Sequence, residues 1–270
     1  MPDIRIGIVG VAGRMGQAIL REIAATSGAV LAGGSERPGS PLAGRDPGEL
    51  AGIGPTGVKI VDDPALLFTN VDAVIDFSTP AVVAHNAALA AQAKAAYIVG
   101  ITGLESEHLE ALKKCAHHTV IVQSYNMSLG VNLMAGLVRQ MAATLGEDWD
   151  IEIVEMHHRM KVDAPSGTAI MLGEAAAQGR GVLLEKVADR GRDGITGARR
   201  KGNIGFAALR GGNVIGEHTV IFAADNERIE ITHKAADRAM FAKGAVRAAL
   251  WAKGKPSGLY RMSDVLGLSG

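Results

Sequence analysis

Apolar runs and amphipathic segments alternate regularly along the first half of the chain. Strand-like runs occupy residues 4–9, 29–34, 58–61, 73–77, 97–100 and 120–123, and helical patterns lie between most of them. A chain that alternates strands with helices usually forms a parallel sheet with helices on both faces. The pattern therefore predicts a doubly wound α/β domain in this half.

The pattern changes after residue 130. A helical segment at 131–145 leads into a strand at 150–156, and strand patterns at 204–209, 214–223 and 228–233 are separated by polar turn sequences. Thr219 and Ile221 alternate with Val220 and Phe222, so both faces of that strand carry apolar area, and one face could pack against another subunit. We expect a second, α+β domain with a mostly antiparallel sheet and helices on one face.

Three glycines, Gly10, Gly13 and Gly16, follow the first strand and open the first helix. This spacing is the dinucleotide-binding fingerprint of Rossmann-like domains, where glycine permits a tight turn and lets the backbone approach a pyrophosphate. We therefore predict that a pyridine dinucleotide contacts the loop made of Gly10, Val11, Ala12, Gly13, Arg14 and Met15.

A charged pair, Glu36 and Arg37, follows the second strand. A carboxylate here accepts hydrogen bonds from the ribose hydroxyls and favours NADH, because it repels a 2′-phosphate. A guanidinium can pair with that same phosphate, although Arg37 could equally be a solvated loop residue. The adjacent pair therefore predicts that both NADH and NADPH are accepted.

Three strand exits of the first half, at 77–80, 100–103 and 124–127, are rich in polar and turn-forming residues. Ligands of doubly wound sheets lie beyond the carboxyl ends of the strands, which makes these loops candidates for the nicotinamide site. Turn chemistry alone does not distinguish a binding loop from an ordinary strand exit.

The segment 152–169, EIVEMHHRMKVDAPSGTA, combines a strand, a polar loop and the start of a helix. His157, His158 and Lys161 can transfer a proton or neutralise an anion, and the backbone N–H groups of Gly167 and Thr168 would favour a carboxylate. Taken singly, each of these residues could be an ordinary polar group. A metal site is disfavoured because no cysteine or carboxylate completes a zinc-like ligand set, and Asp163 is expected to end the strand rather than to orient Lys161.

Composition excludes several classes of function. Lys plus Arg and Asp plus Glu number 28 each, which leaves no net field to attract nucleic acid or an anionic membrane. The single cysteine, Cys115, lies in an amphipathic helical pattern, excludes an intrachain disulfide and fits the reducing cytoplasm. The basic segment 189–202 could line a substrate entrance, but its glycines favour a solvated loop.

The segment 152–169 resembles, nearly residue for residue, the signature E-I-V-E-x-H-H-x-x-K-x-D-A-P-S-G-T-A of the 4-hydroxy-tetrahydrodipicolinate reductase family. The resemblance implies reduction of a cyclic dicarboxylate in the diaminopimelate route to lysine, with His157 and Lys161 supplying the proton and His158 contacting the substrate. The nicotinamide would contact residues of the last two strand exits: Gly100, Ile101, Thr102, Ser124, Tyr125, Asn126 and Met127. Ile101 and Tyr125 depart from the commoner family pattern, which puts side-chain roles there in doubt.

The resemblance also implies a domain organisation. The C-terminal segment would return to the dinucleotide-binding domain, which would comprise 1–128 and 239–270, while 129–238 would bind the substrate and mediate oligomerisation. The family forms homotetramers through the sheets of the second domain. A cofactor from the first domain and a substrate from the second would then meet beside the paired imidazoles.

Two other functions compete with this interpretation. Another dinucleotide oxidoreductase is the nearest, but an acylating semialdehyde dehydrogenase would need an exposed cysteine nucleophile, and Cys115 is badly placed for that role. A redox sensor that binds NAD(H) without turnover would be expected to carry a basic face or a DNA-reading motif, and this neutral chain has neither.

Overall fold

A computed structural model describes residues 2–268 of the protein. The strands are β1 Ile4–Val9, β2 Ala29–Ser35, β3 Ile60–Val61, β4 Ala73–Asp76, β5 Ala96–Val99, β6 Val120–Gln123, β7 Asp150–His157, β8 Ala188–Asp189, β9 Ile204–Arg210, β10 Glu217–Ala223, β11 Arg228–Lys234 and β12 Gly258–Tyr260. The α-helices are α1 Arg14–Ala25, α2 Pro47–Ala51, α3 Pro64–Phe68, α4 Val83–Ala93, α5 Ser106–Cys115, α6 Leu129–Leu145, α7 Gly167–Gly179, α8 Leu184–Val187, α9 Ala239–Ala252 and α10 Met262–Leu266.

The chain divides into two compact units. Unit 1 contains Met1–Leu129 and Ala239–Gly270, and unit 2 contains Gly130–Arg238. The C-terminal segment therefore belongs to the same unit as the N-terminal half, and each unit has its own sheet and core.

The sheet of unit 1 is parallel throughout, in the order β12-β6-β5-β4-β1-β2-β3. The chain starts at β1 in the middle and proceeds to one side through β2 and β3, then to the other through β4, β5 and β6. Separate apolar clusters cover its two faces, one including residues of α1 and α9 and the other residues of α3, α4 and α5. The predicted doubly wound, Rossmann-like fold is confirmed.

The sheet of unit 2 is mixed, in the order β11-β10-β7-β9-β8. β10 pairs antiparallel with β11, as the polar turn between them predicted, and β10 also pairs antiparallel with β7. β9 and β10 follow one another in sequence but are not neighbours, because β7 lies between them. β7 pairs in parallel with β9, and β9 with β8. The connection between β7 and β9 contains α7. This crossover returns the chain to the end of the sheet where β7 begins, so β9 runs parallel to β7.

One face of this sheet is covered by helices and the other is not. Ile151 and Ile153 of β7 and Val220 and Phe222 of β10 are fully buried in a cluster that includes residues of α6 and α7. The alternate residues on the other face, such as Val154 and Ile221, are only half-buried within unit 2.

The basic segment after β8 is held against β7 by ion pairs. Arg192 donates to both carboxylate oxygens of Glu152 at 3.1 and 2.8 Å, and Arg199 binds Glu152 and Asp150 at 2.8 and 2.6 Å. Two of its arginines therefore anchor the loop to β7, while residues 190–198 are exposed, as the expected solvated loop would be. No helix within residues 2–268 is long and apolar enough to cross a membrane.

Candidate active site

The two adjacent histidines of unit 2 differ in burial. β7 alternates between a buried and a half-buried face, and this alternation places Glu155 and His157 with Ile151 and Ile153 on the buried face. His158 follows the strand and is half-buried. His157 and His158 therefore occupy different environments despite being neighbours in sequence.

A buried carboxylate, Glu155, connects the site. Its Oε2 lies 2.6 Å from Nδ1 of His157, and both of its oxygens accept hydrogen bonds from the Arg210 guanidinium at 2.8 and 2.9 Å. Oε1 also accepts the backbone N–H of Ser166 at 3.1 Å. Burial opposes ionisation of Glu155, but the hydrogen bonds from Arg210 and His157 outweigh it and lower the pKa of the carboxyl group.

Ser166 caps the start of α7. Its hydroxyl oxygen accepts the N–H of Ala169 at 3.1 Å and lies 2.9 Å from Nε2 of His218. Gly167, the first residue of the helix, is exposed, and a side chain added there would meet no atom within 4 Å. The space in front of this helix start is therefore open on the side of Gly167, where a helix favours an anion.

His218 completes the buried cluster from β10. Its ring meets that of His157 edge to face, with centroids 5.1 Å apart. Burial, together with the neighbouring His157, lowers the pKa of His218 to about 4, so this ring is neutral near pH 7. His218 is therefore a poor proton donor at neutral pH, in contrast to a histidine paired with a carboxylate.

Lys161 is held by an acidic neighbour in the loop after β7. Its Nζ donates to Oδ1 of Asp163 at 2.6 Å, and this contact lowers the pKa of Asp163. Arg210 also donates to the backbone carbonyl of Asp163 at 2.6 Å, so one guanidinium connects this loop to Glu155. The expectation that Asp163 only ends the strand is wrong, because its carboxylate orients Lys161.

The glycine loop of unit 1 is shaped by its backbone. Gly10 has φ of 67°, which favours glycine, and the N–H of Gly13 returns to the carbonyl of Gly10 at 3.0 Å. A side chain at Gly16 would lie 2.6 Å from the carbonyl oxygen of Val11, so this helix turn packs directly on the loop. Glu36 accepts the N–H of Ala12 at 2.8 Å, which places the carboxylate beside the loop.

The strand exits of unit 1 are fixed by buried polar groups. Asp76, at the end of β4, accepts hydrogen bonds from the backbone and hydroxyl of Ser78, from Asn86 and from the hydroxyl of Tyr97. Burial and the Asp76 charge raise the pKa of Tyr97 well above its usual value, so the phenol stays a donor. At the exit of β6, the hydroxyl of Ser124 donates to the carbonyl of Asn126 at 2.7 Å.

The predicted cofactor residues differ in whether their side chains are accessible to a ligand. Val11, Ile101 and Met127 have their side chains in the apolar cores, which leaves only their backbone groups for binding. Tyr125 is 52% exposed, and the side chains of the remaining residues are at least partly exposed, as are Ala12 and the loop glycines. The doubt about side-chain roles at Ile101 is therefore justified by its burial.

Four residues of the buried cluster in unit 2 were absent from the predicted site: Glu155, Ser166, Arg210 and His218. The alternation of β7 carried a signal for Glu155, because a period of two places it on the apolar face with Ile153. Arg210 had no such signal, since it ends β9 and reaches β7 only through strand pairing. Among residues 2–268, no group of three or more His, Cys, Asp or Glu side chains is arranged to hold a metal ion.

Comparison with known proteins identifies the family. Residues 4–127 match the family profile of the N-terminal part of dihydrodipicolinate reductase, and residues 130–266 match that of its C-terminal part. The chain is 58% identical to a 4-hydroxy-tetrahydrodipicolinate reductase from Parvibaculum lavamentivorans over 98% of each chain, and 56% identical to one from Methylocella silvestris over 99% of this chain and 98% of the relative.

A solved structure shares the fold. A dipicolinate-bound dihydrodipicolinate reductase from Paenisporosarcina sp. TG-14 is similar to this chain with a TM-score of 0.76 and 24% identity, over 96% of this chain and 97% of that one. Both halves of the sequence match the family, and the relatives match over nearly their full length. The chain therefore belongs to the dihydrodipicolinate reductase family.

Proposed function

We propose that this protein reduces 4-hydroxy-tetrahydrodipicolinate, by way of dihydrodipicolinate, to tetrahydrodipicolinate with NADH or NADPH, in the diaminopimelate route to lysine. The observation that carries the proposal is the arrangement of unit 2, where a carboxylate-bound imidazole lies beside an open helix start. These are the groups that protonation of a cyclic dicarboxylate requires.

The substrate carries two carboxylates, and unit 2 offers cationic and backbone groups for both. We assign one carboxylate to the start of α7 at Gly167 and Thr168. The other would contact His158 and Lys161, whose ammonium is already ordered by Asp163. The Paenisporosarcina structure, described as dipicolinate-bound, supports a planar dicarboxylate as the ligand of this family.

The proton comes from His157 or Lys161 in this proposal. Nδ1 of His157 faces Glu155, which leaves Nε2 as the nitrogen that can give its proton to the substrate. The ammonium of Lys161 is the alternative donor, and its salt bridge to Asp163 orients it. Either donor neutralises the negative charge that hydride addition leaves on the conjugated ring.

The glycine loop of unit 1 fits a dinucleotide. No side chain caps the start of α1 and its first turn holds no acidic residue, so the first backbone N–H groups of the helix can bind a pyrophosphate. The Glu36 carboxylate lies beside the loop and accepts the N–H of Ala12. The residues proposed to hold the cofactor are Gly10, Val11, Ala12, Gly13, Arg14, Met15, Glu36, Arg37, Gly100, Ile101, Thr102, Ser124, Tyr125, Asn126 and Met127. When bound, a reduced nicotinamide supplies the hydride that the conjugated ring carbon receives.

Glu36 and Arg37 support the use of both cofactors. Glu36 is tied to the loop through Ala12 and can still accept a bond from a ribose hydroxyl through its second oxygen. Arg37 is exposed beside it and can pair with a 2′-phosphate.

The open face of the unit 2 sheet supports a homotetramer. Val154, Met156, Leu209 and Ile221 share this face, which no helix of the unit covers. Apolar area of this kind favours association with another copy of the chain. Sedimentation velocity would test the proposal, and a monomer at micromolar concentration would contradict it.

One assay separates the proposed function from its rivals. Freshly prepared substrate is added to protein and NADH or NADPH, and the loss of nicotinamide absorbance is followed. A redox sensor would bind the nucleotide without turnover. An acylating dehydrogenase would act through a thiolate, but burial raises the pKa of Cys115 and disfavours that form.

A further inference from the structure

We propose that Glu155 is the positioning residue of this site, and that its single carboxylate orients both the proton-donating ring of His157 and the anion-binding start of α7. The kinetic consequence rests on the proposed function. The structural consequence, which concerns the proton on His157, does not depend on that function.

The four hydrogen bonds around Glu155 require a carboxylate. One oxygen faces Nδ1 of His157 and a guanidinium N–H of Arg210, and the other accepts a second Arg210 N–H and the backbone N–H of Ser166. All four approaching groups can be donors. A glutamine would turn an NH₂ group toward at least one of them, so no neutral side chain of this shape satisfies the same set.

The first consequence is a fixed tautomer of His157. Glu155 accepts only, because its lowered pKa keeps it ionised, so the proton of the neutral ring stays on Nδ1. Nε2 is then the nitrogen that exchanges a proton with the substrate. A ring held in this way returns to the same orientation after each proton transfer.

The second consequence concerns the helix start. The bond from the Ser166 N–H to Glu155 spans 11 residues and fixes the N-cap residue from outside the helix. The Ser166 hydroxyl is thereby placed to cap Ala169 and to meet His218. The proton donor and the proposed carboxylate site are therefore both attached to one buried side chain.

Other charges around His157 do not replace this role. Arg210 of β9 pairs with His157 across the strands, and the ring of His218 in β10 contacts the His157 ring. Lys161 and Asp163 lie in the loop after β7, and His233 of β11 pairs with His218. His218 is neutral near pH 7, and Arg210 and Lys161 are cations that disfavour a second positive charge. Glu155 is the anion in hydrogen-bond contact with the ring.

The tautomer can be measured in the unaltered protein. Nitrogen NMR of ¹⁵N-histidine-labelled protein, assigned with a His157→Gln variant, reports which nitrogen of the neutral ring carries the proton. We expect the proton on Nδ1. A neutral His157 with its proton on Nε2 would overturn the proposal, whether or not the protein reduces the proposed substrate.

The kinetic test compares two glutamates of the same strand. Glu155→Gln should lower kcat by roughly 10- to 100-fold and should no longer confine the proton of the neutral His157 ring to Nδ1, with cofactor KM unchanged. Glu152→Gln is the matched control, because Glu152 also binds an arginine through both oxygens but does not contact His157 or Ser166.

The two outcomes separate a positioning role from a structural one. A Glu155→Gln protein that turns over normally and keeps the His157 proton on Nδ1 would show that Glu155 only holds Arg210. If that variant does not fold, Glu155→Asp provides the comparison. It keeps the charge, so the proton of the neutral ring should stay on Nδ1 while kcat falls, and a proton on Nε2 would contradict the proposal.

Discussion

The two helix starts that the structure presents to anions are built in opposite ways. The start of α1 is made of backbone, since its N-cap is Gly13 and no side chain caps it. The start of α7 is made of side chains, since Ser166 caps it, Glu155 holds Ser166, and His218 contacts the same hydroxyl. The first is shaped by the absence of side chains and the second by a buried polar network.

This difference determines what disturbs each site. The helix start at Gly13 responds mainly to added volume, because no side chain caps it. A network of buried carboxylate, imidazole and guanidinium groups responds to any change of charge, because each member satisfies another. The predictions below test this contrast.

The largest expected effect is a loss of stability of unit 2 in acid. The pKa of His218 is about 4 in the folded protein and about 6.5 when unfolded, so the unfolded chain binds more protons between these values. The contribution of His218 is complete above pH ~6.5 and is lost as the pH falls through ~4, a change of about 3 kcal/mol. Hydrogen exchange of α7 amides should show this loss, while amides of α1 should not.

His218→Gln removes the titrating ring and should flatten the pH dependence of exchange in α7. The exposed His118 of unit 1 provides the matched control, because His118→Gln should leave the dependence intact. Equal acid sensitivity in α1 and α7 would remove the contrast between the two sites.

The second effect is catalytic. Lys161→Ala should lower kcat by ~10²-fold, about 2.7 kcal/mol, because the variant loses both a candidate proton donor and a cation beside the substrate. The KM for NADH should change little. Arg14→Ala, in the first turn of α1, should instead raise cofactor KM with little change in kcat, and full turnover by Lys161→Ala would assign the proton to His157 alone.

The same contrast explains what the sequence could reveal. The α1 site depends on residues within one short segment, so the spacing of Gly10, Gly13 and Gly16 was sufficient to predict the loop. The alternation of strands and helices predicted the parallel sheet around it. The alternation of β7 likewise predicted the strand and its apolar face. Local patterns were enough wherever the contacts were local.

The α7 network depends on contacts between distant parts of the chain. Arg210 reaches Glu155 across 55 positions and Ser166 reaches His218 across 52. The parallel pairing of β7 with β9 places Arg210 beside His157, and a shift of two residues would preserve the same apolar faces. Because the hydrophobic pattern does not fix that register, the sequence indicated a turn at Arg210 and did not predict its contact with Glu155.

The third effect tests the open space at the start of α7. Gly167→Val should raise the KM for the substrate by roughly 10-fold with little loss of stability, because a Cβ atom added there meets no other atom within 4 Å and the side chain would enter the proposed carboxylate position. Gly16→Ala is the counterpart in α1, where the added methyl group would collide with backbone and should weaken folding as well as cofactor binding. An unchanged substrate KM in Gly167→Val would exclude this anion site.

The smallest effect concerns the choice of cofactor. Arg37→Ala should raise the KM for NADPH by roughly 5-fold, about 1 kcal/mol, because an exposed guanidinium contributes modestly to binding of a 2′-phosphate in water. The KM for NADH should not change, since Glu36 and the backbone loop remain. Glu36→Gln should lower the KM for NADPH, because it removes the charge that opposes the phosphate and keeps an acceptor for the N–H of Ala12. If both variants leave the ratio of the two KM values unaltered, the cofactor preference is set by the backbone of the loop. The α1 site would then depend on its main chain even for discrimination between NADH and NADPH, which its side chains were expected to provide.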